Sequence, residues 1–146
     1  MMSGIRGKNT KPEMMIRRGL HARGFRYRLH CKLPGKPDIC LPKYKAVIFV
    51  HGCFWHGHDC HLFKWPSTRP EFWRDKIGRN RAVDERTLVA LRTDGWRTAR
   101  VWECALKGKH RHPADMTLDC LARWLNSDAV DLQVEGSSDI AGLQPS

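Results

Sequence analysis

YKAVIFVHGCFWHGHDC, residues 44–60, joins two different kinds of chain. From Tyr44 to Val50 it is an apolar run interrupted only by Lys45, the pattern of a central strand. From His51 to Cys60 it holds three histidines, two cysteines, a Phe and a Trp. A buried strand does not spend so many polar side chains, and a solvated loop has no use for Phe54 and Trp55. Upstream, Asp38-Ile-Cys-Leu reads as a second strand on the other side of Pro42, entered through the turn LPGKP (33–37). FRYRLH (25–30) alternates Phe25, Tyr27 and Leu29 against Arg26 and Arg28, a half-buried strand. Thr10 and Glu13 have capping-box spacing and open a helix that Gly24 stops. Downstream, KWPSTRPE is a loop. A helix then runs from Pro70 or Glu71 to about Arg92, closed by Asp94-Gly95. WRTARVW (96–102) is another strand. The helix 114–126 turns Met116, Cys120, Leu121, Trp124 and Leu125 inward. Strands and helices mix, which predicts an α/β domain over 1–126 with a small central sheet flanked by helices. Residues 127–146 read as an acidic, loosely ordered tail.

The charge is lopsided. The net formal charge is +11, and the first 112 residues carry 25 basic against 9 acidic side chains. The last 34 carry 1 and 6. A basic body of this kind favours a polyanionic partner, nucleic acid before membrane. No apolar run approaches the roughly 20 residues of a membrane span. MMSGIRGKNTK has no hydrophobic segment and so is no secretory signal. The expectation is a cytoplasmic protein. In such a reducing compartment, metal binding by the six cysteines outranks disulfides.

Cys53, His58 and Cys60 form a C-x4-H-x-C cluster tight enough to wrap one ion. A closed tetrahedral zinc site needs a fourth N or S ligand, and Cys104, just past the strand ending at Trp102, supplies it from a distant segment. Unliganded thiols are the bland alternative. Cys31 and Cys40 flank the PGKPD turn, and Cys120 fits the apolar face of the last helix as a small core residue. With His58 on the metal, His51 and His56 remain for proton transfer or outer-shell contacts. Asp38 either holds a hard cation such as Mg²⁺ or merely caps its turn. Asn80 and Asp84, at i and i+4, share a helix face from which either can orient a histidine.

PGKPD (34–38), VIFVHGCFWHGHDC (47–60), LFKWPSTRPEFWRDKIGRN (62–80) with Asp84 beyond, and GWRTARVWECAL (95–106) closely resemble the very short patch repair endonucleases, the Vsr family. The resemblance spans roughly residues 2–126. It implies a restriction-endonuclease-like core and a mismatch-nicking activity on DNA, cutting 5′ to the thymine of a T·G mispair. It implies Asp38 and the Val50 backbone carbonyl as Mg²⁺ ligands, and His51 and Glu13 as partners of metal-bound water. It also implies His56 as general base with Asp84 behind it, and Cys53, His58, Cys60 and Cys104 as structural zinc ligands. Phe54, Trp55 and Trp73 match side chains that wedge into the duplex, and Met2 one that enters from the minor groove. Lys64, Arg69 and Asn80 fall on the DNA-facing stretch. The expected partners are T·G-mismatched duplex DNA and, functionally, a cytosine-5 methyltransferase, with the enzyme acting as a monomer. Val50 departs from the usual threonine, which leaves a carbonyl role intact and removes any hydroxyl role. The arm before Met2 is short, and Gly57 and Asp59 thin out a histidine run.

Two other readings stay open on the residues alone. A non-catalytic zinc-organised DNA-binding module explains the charge, cysteines and aromatics but leaves Asp38, His51, His56 and Asp84 without a task. An HNH-type zinc-stabilised nuclease is disfavoured by the Pro-Asp turn before a central strand.

Overall fold

The computed structural model describes residues 11–137. A four-stranded sheet runs in the order β1 (Ile39–Leu41), β2 (Ala46–His51), β3 (Arg97–Trp102) and β4 (Asp131–Val134). β1 is antiparallel to β2, whereas β2–β3 and β3–β4 are parallel. A tight 3₁₀ turn at Pro42–Tyr44 joins the antiparallel pair. The parallel pairs need crossovers, and these carry the helices α2 (Pro70–Thr93) and α4 (Ala114–Leu125). α1 (Lys11–Ala22) precedes the sheet, and α3 (Glu103–Leu106) is one turn directly after β3.

β2 is central because both of its faces are apolar. Ala46 and Ile48 pack with Ile16 and Leu20 of α1 and with Leu118, Leu121, Trp124 and Leu125 of α4. Val47 and Phe49 pack on the opposite face against Leu88 and Leu91 of α2. The sheet is thus sandwiched between helices. α1 and α4 cross closely at Gly19, where a Cβ would lie 2.2 Å from a Leu118 methyl. No helix among the described residues is long and apolar enough to cross a membrane.

Several expectations need correction. The stretch 25–30 keeps its alternation, with Phe25 buried and Arg26 and Arg28 exposed. Only Arg28 pairs, however, through a single bridge to Cys40. β1 offers three residues, and His30 turns the chain away at φ 57°. Cys31 and Cys40 form a disulfide in the structure, so they are not the free thiols that compartment reasoning favours. Met116 is 53% exposed, and α4 buries Thr117 and Leu118 in its place. Residues 131–134, read from sequence as tail, form β4. The tail beyond 137, and Thr10 of the capping box, lie outside the described residues.

Arg97 ties three segments together, since its guanidinium donates to the carbonyls of Trp124 (3.0 Å) and Leu125 (3.0 Å) at the end of α4. It also reaches Tyr44 (3.1 Å) after β1 and Ser127 (3.1 Å) on the way to β4. The carbonyls ending a helix lack intrahelical partners, and a fixed cation there meets both that need and the helix dipole. Arg97→Ala is expected to cost about 3 kcal/mol, the scale of charged hydrogen bonds lost from partly buried acceptors. Urea denaturation with an unchanged slope measures it. Arg97→Lys should recover little, because an ammonium cannot span the fork.

Candidate active site and metal centre

β2 delivers its last residue, His51, to the edge of a cleft of about 840 Å³, whose wall is shared by the loop that follows, α1, α2 and the turn before β1. Asp38 arrives from the turn before β1 because the antiparallel register sets it beside the end of β2. There the Val50 N–H donates to Asp38 Oδ2 at 2.7 Å. Glu13, buried on the first turn of α1, faces the same cleft and pairs with Arg17 at 3.3 Å. Burial pushes the Asp38 carboxyl up to about 7; Glu13 adds to the rise, while the Val50 amide and His56 oppose it. A carboxylate so placed gains from a nearby cation, which would favour its charged form. The recorded contact at position 50 is its amide on Asp38.

His56 and Asp84 meet across the cleft, with Nδ1 and Oδ2 2.6 Å apart. A carboxylate accepts, so the imidazole proton sits on Nδ1 and the Nε2 lone pair is left to take a proton. Asp84 reaches His56 because its face of α2 packs on the loop. Asn80, one turn earlier, donates to the Trp55 carbonyl at 2.8 Å and holds the loop rather than a histidine. His51 stacks on His56 with centroids 3.8 Å apart and planes within 9°. Burial holds His51 down to about 3, and His56 contributes to that fall. His51, His56 and Asp84 lie close enough to share an ion. The Asp84 carboxylate holds the His56 ring from its Nδ1 side, and His51 holds it on its face. Lys36 and Lys107 also line the cleft and were not singled out from sequence. As exposed lysines they carry no local signal, and only the fold brings them to the site.

The predicted zinc ligands converge. One donor atom each from Cys53, His58, Cys60 and Cys104 lie within 4.8 Å of one another. His58 Nδ1 is 3.6 Å from both the Cys53 and Cys104 sulfurs. A tetrahedral zinc site has ligand-to-ligand edges of about 3.5–3.8 Å, so the donors fit the ion with small adjustments. Burial pushes the Cys53 and Cys104 thiols up, and the neighbouring Cys60 sulfur adds to both rises. α3 places Cys104 directly beyond β3, as the sequence order suggested. Its neighbour Glu103 accepts from the Cys53 amide at 3.1 Å and fixes the start of the loop. Cys120 lies apart, packed on the core from α4.

The three aromatics form one group. The Phe54 ring is 5.1 Å from Trp55 and 5.4 Å from Trp73, and Trp55 is 5.9 Å from Trp73. Trp55 is 48% exposed and Trp73 half-buried, so the group is a surface feature rather than core. Phe63, Trp65 and Phe72 extend it, and the Arg69 guanidinium lies 4.4 Å from the Phe72 ring centre. Lys64 and Arg69 are exposed beside it. Met2 lies outside the described residues.

The whole chain can be compared with known proteins. A family model described as DNA mismatch endonuclease Vsr matches residues 1–62. The chain is 39% identical over 135 residues to the DNA mismatch endonuclease Vsr of Escherichia coli K12, covering 92% of this chain and 86% of that one. It is 51% identical over 107 residues to a type II nicking enzyme of Xanthomonas oryzae pv. oryzae, covering 73% and 79%. It is 46% identical over 110 residues to a type II nicking enzyme of Neisseria meningitidis serogroup A, covering 75% and 79%. Identity at this level across nearly the whole chain makes this protein a member of the Vsr family of DNA mismatch endonucleases.

Proposed function

We propose that the protein nicks one strand of duplex DNA on the 5′ side of the thymine in a T·G mispair, from a restriction-endonuclease-like core. The observation that carries the reading is a histidine–aspartate pair and the partly buried Asp38 carboxylate opening onto one cleft. His56 Nε2 takes a proton from the attacking water, and Asp84 holds the ring in the right tautomer and stabilises the imidazolium. The resulting hydroxide attacks phosphorus, the P–O3′ bond breaks, and O3′ takes its proton from solvent. Asp38, with the Val50 carbonyl, would hold Mg²⁺, and Glu13 and His51 would hydrogen-bond the water beside it. Mg²⁺ there supplies charge neutralisation at the phosphate and the departing oxygen. Zinc on Cys53, His58, Cys60 and Cys104 is structural, because four protein ligands leave no position for substrate.

Phe54, Trp55 and Trp73 form the wedge. Unstacking costs a few kcal/mol per step and least at a mispair, so insertion itself selects mismatches. Lys64 and Arg69, joined by Lys36 and Lys107 in the cleft, hold phosphates. T·G mispairs arise when 5-methylcytosine deaminates, which makes a cytosine-5 methyltransferase the functional companion. A lone mispair lacks twofold symmetry, in keeping with action as a monomer.

Single-turnover nicking of a T·G duplex against its T·A twin, with and without Mg²⁺, tests this reading. Mg²⁺-dependent nicking of T·G alone is expected; equal cutting of both duplexes would refute the specificity, and binding without cutting would refute the enzyme. The pH profile gives a second check. Asp38 must be ionised to hold a cation, and its carboxyl releases the proton near 7. At subsaturating Mg²⁺ the rate should therefore climb with pH and level off near neutrality. Proton and metal compete for one carboxylate, so tenfold more Mg²⁺ should move the acid limb down by about one pH unit. An acid limb indifferent to Mg²⁺ would assign it to another group.

A further inference from the structure

We propose that Glu135 and Gly136, in the segment after β4, complete the metal centre: the Glu135 carboxylate as outer partner of His58, and the Gly136 amide as outer partner of Cys104. The inference rests on Cys53, His58, Cys60 and Cys104 being a zinc site, and adds two groups that their sequence neighbours give no reason to suspect.

Glu135 Oε1 lies 2.7 Å from His58 Nε2. Since a carboxylate accepts, the imidazole proton sits on Nε2, and the Nδ1 lone pair is free on the side where the sulfurs lie. That nitrogen is 3.6 Å from two of them. One hydrogen bond thus selects the ligating nitrogen, fixes the ring and raises its basicity, the usual work of a carboxylate behind a metal-bound histidine. The Gly136 N–H donates to Cys104 Sγ at 3.3 Å. Three thiolates and one imidazole around a divalent ion leave a net negative charge, which an amide dipole aimed at one sulfur offsets. A Cβ at position 136 would fall 2.5 Å from the Cys104 carbonyl oxygen, so the approach is open only to glycine.

The segment is held there by contacts made elsewhere. His112 Nε2 donates to the Glu135 carbonyl at 2.6 Å, and the Ser137 amide donates to the His110 carbonyl at 2.8 Å. β4 feeds it in, anchored by Arg92 on Asp131 at 2.7 Å. The Trp102 indole N–H donates to Gln133 Oε1 at 2.8 Å, and the same ring stacks on His58 at 4.2 Å. His58 is therefore clamped on its edge by Glu135 and on its face by Trp102.

The test uses the full-length, zinc-loaded chain and reads metal, not nicking. Zinc affinity is measured by competition with a chromophoric chelator, and ligand geometry from the visible bands of the Co²⁺-substituted protein. Glu135 is half exposed, so the lower end of the outer-shell effect applies. Glu135→Ala is expected to weaken zinc about tenfold and to alter the Co²⁺ bands. Glu135→Gln, which keeps an acceptor oxygen, should fall between it and the parent. Asp119→Ala removes an exposed ion pair with Arg23, touches neither β4 nor the site, and should hold zinc as the parent does. Glu135→Ala within twofold of the parent with unchanged Co²⁺ bands overturns the proposal, as does an equal loss in Asp119→Ala. A parent chain that takes up no zinc would instead overturn the zinc site itself.

Discussion

His56→Ala is expected to lower the single-turnover nicking rate by about 10²–10⁴-fold while leaving mismatch affinity near that of the parent. The imidazole is the group proposed to take the water proton, and its Nδ1 is already committed to Asp84 at 2.6 Å. Its removal leaves Asp84 partly open to water, so no uncompensated buried charge is created and the fold should stand. Asp38→Ala should cost at least as much activity, since it deletes the side-chain ligand proposed for Mg²⁺. It also leaves the Val50 amide without its 2.7 Å acceptor, a penalty of about 1–3 kcal/mol that a folded domain can absorb. Asp84→Asn is the finer probe, because it keeps the volume but can present a donor to His56 and favour the wrong tautomer. Fluorescence anisotropy on a T·G duplex separates binding from chemistry. The binding surface proposed above is the Phe54–Trp55–Trp73 group and the surrounding cations, none of which these substitutions replace. Substantial nicking by either alanine variant, or loss of binding parallel to loss of nicking, would sink the assignment.

What made this site readable in advance is local chemistry. The run from Tyr44 to Val50 has no plausible fate except a buried strand, and β2 follows it closely. The spacing of Cys53, His58 and Cys60 allows one ion, and the order of β3 and Cys104 allows a fourth ligand to come from afar. Asn80 and Asp84 could be placed on one helix face, but their division of labour could not. Which of them meets His56 depends on where the loop settles on α2, a tertiary fact. β4 was invisible for a related reason. DLQV has two apolar residues, and its strand state rests on pairing with β3 and on side-chain contacts from Arg92 and Trp102. The Cys31–Cys40 bridge was argued away from the expected compartment, whereas the Arg28–Cys40 pairing brings the two residues together. In α4 the polar hydroxyl of Thr117 hid a buried position, and Met116 looked like core only because it is apolar.

Cys104→Ser should have the largest effect on the protein as a whole: loss of zinc together with loss of soluble, folded chain. Structural zinc contributes on the order of 10–16 kcal/mol in small zinc domains, which is comparable to or larger than the net stability of an ordinary domain. Serine has nearly the size of cysteine, so the buried position itself tolerates the exchange, and what disappears is a thiolate ligand. Cys104 is also the ligand that comes from the far side of β3, and without it the loop 53–60 is no longer stapled to the sheet. His56 sits inside that loop, between Cys53 and His58, so activity should fall even in whatever fraction remains folded. Metal content per chain, thermal unfolding and nicking rate should therefore decline together, and a strong chelator applied to the parent should reproduce all three. Cys120→Ser is the matching control: that thiol packs on the core from α4, away from the cluster, and its loss should leave zinc at one per chain. A soluble Cys104→Ser protein that keeps zinc and nicks T·G duplexes at the parent rate would show that three ligands suffice. The rigid platform assigned to the fourth would then have to come from packing alone.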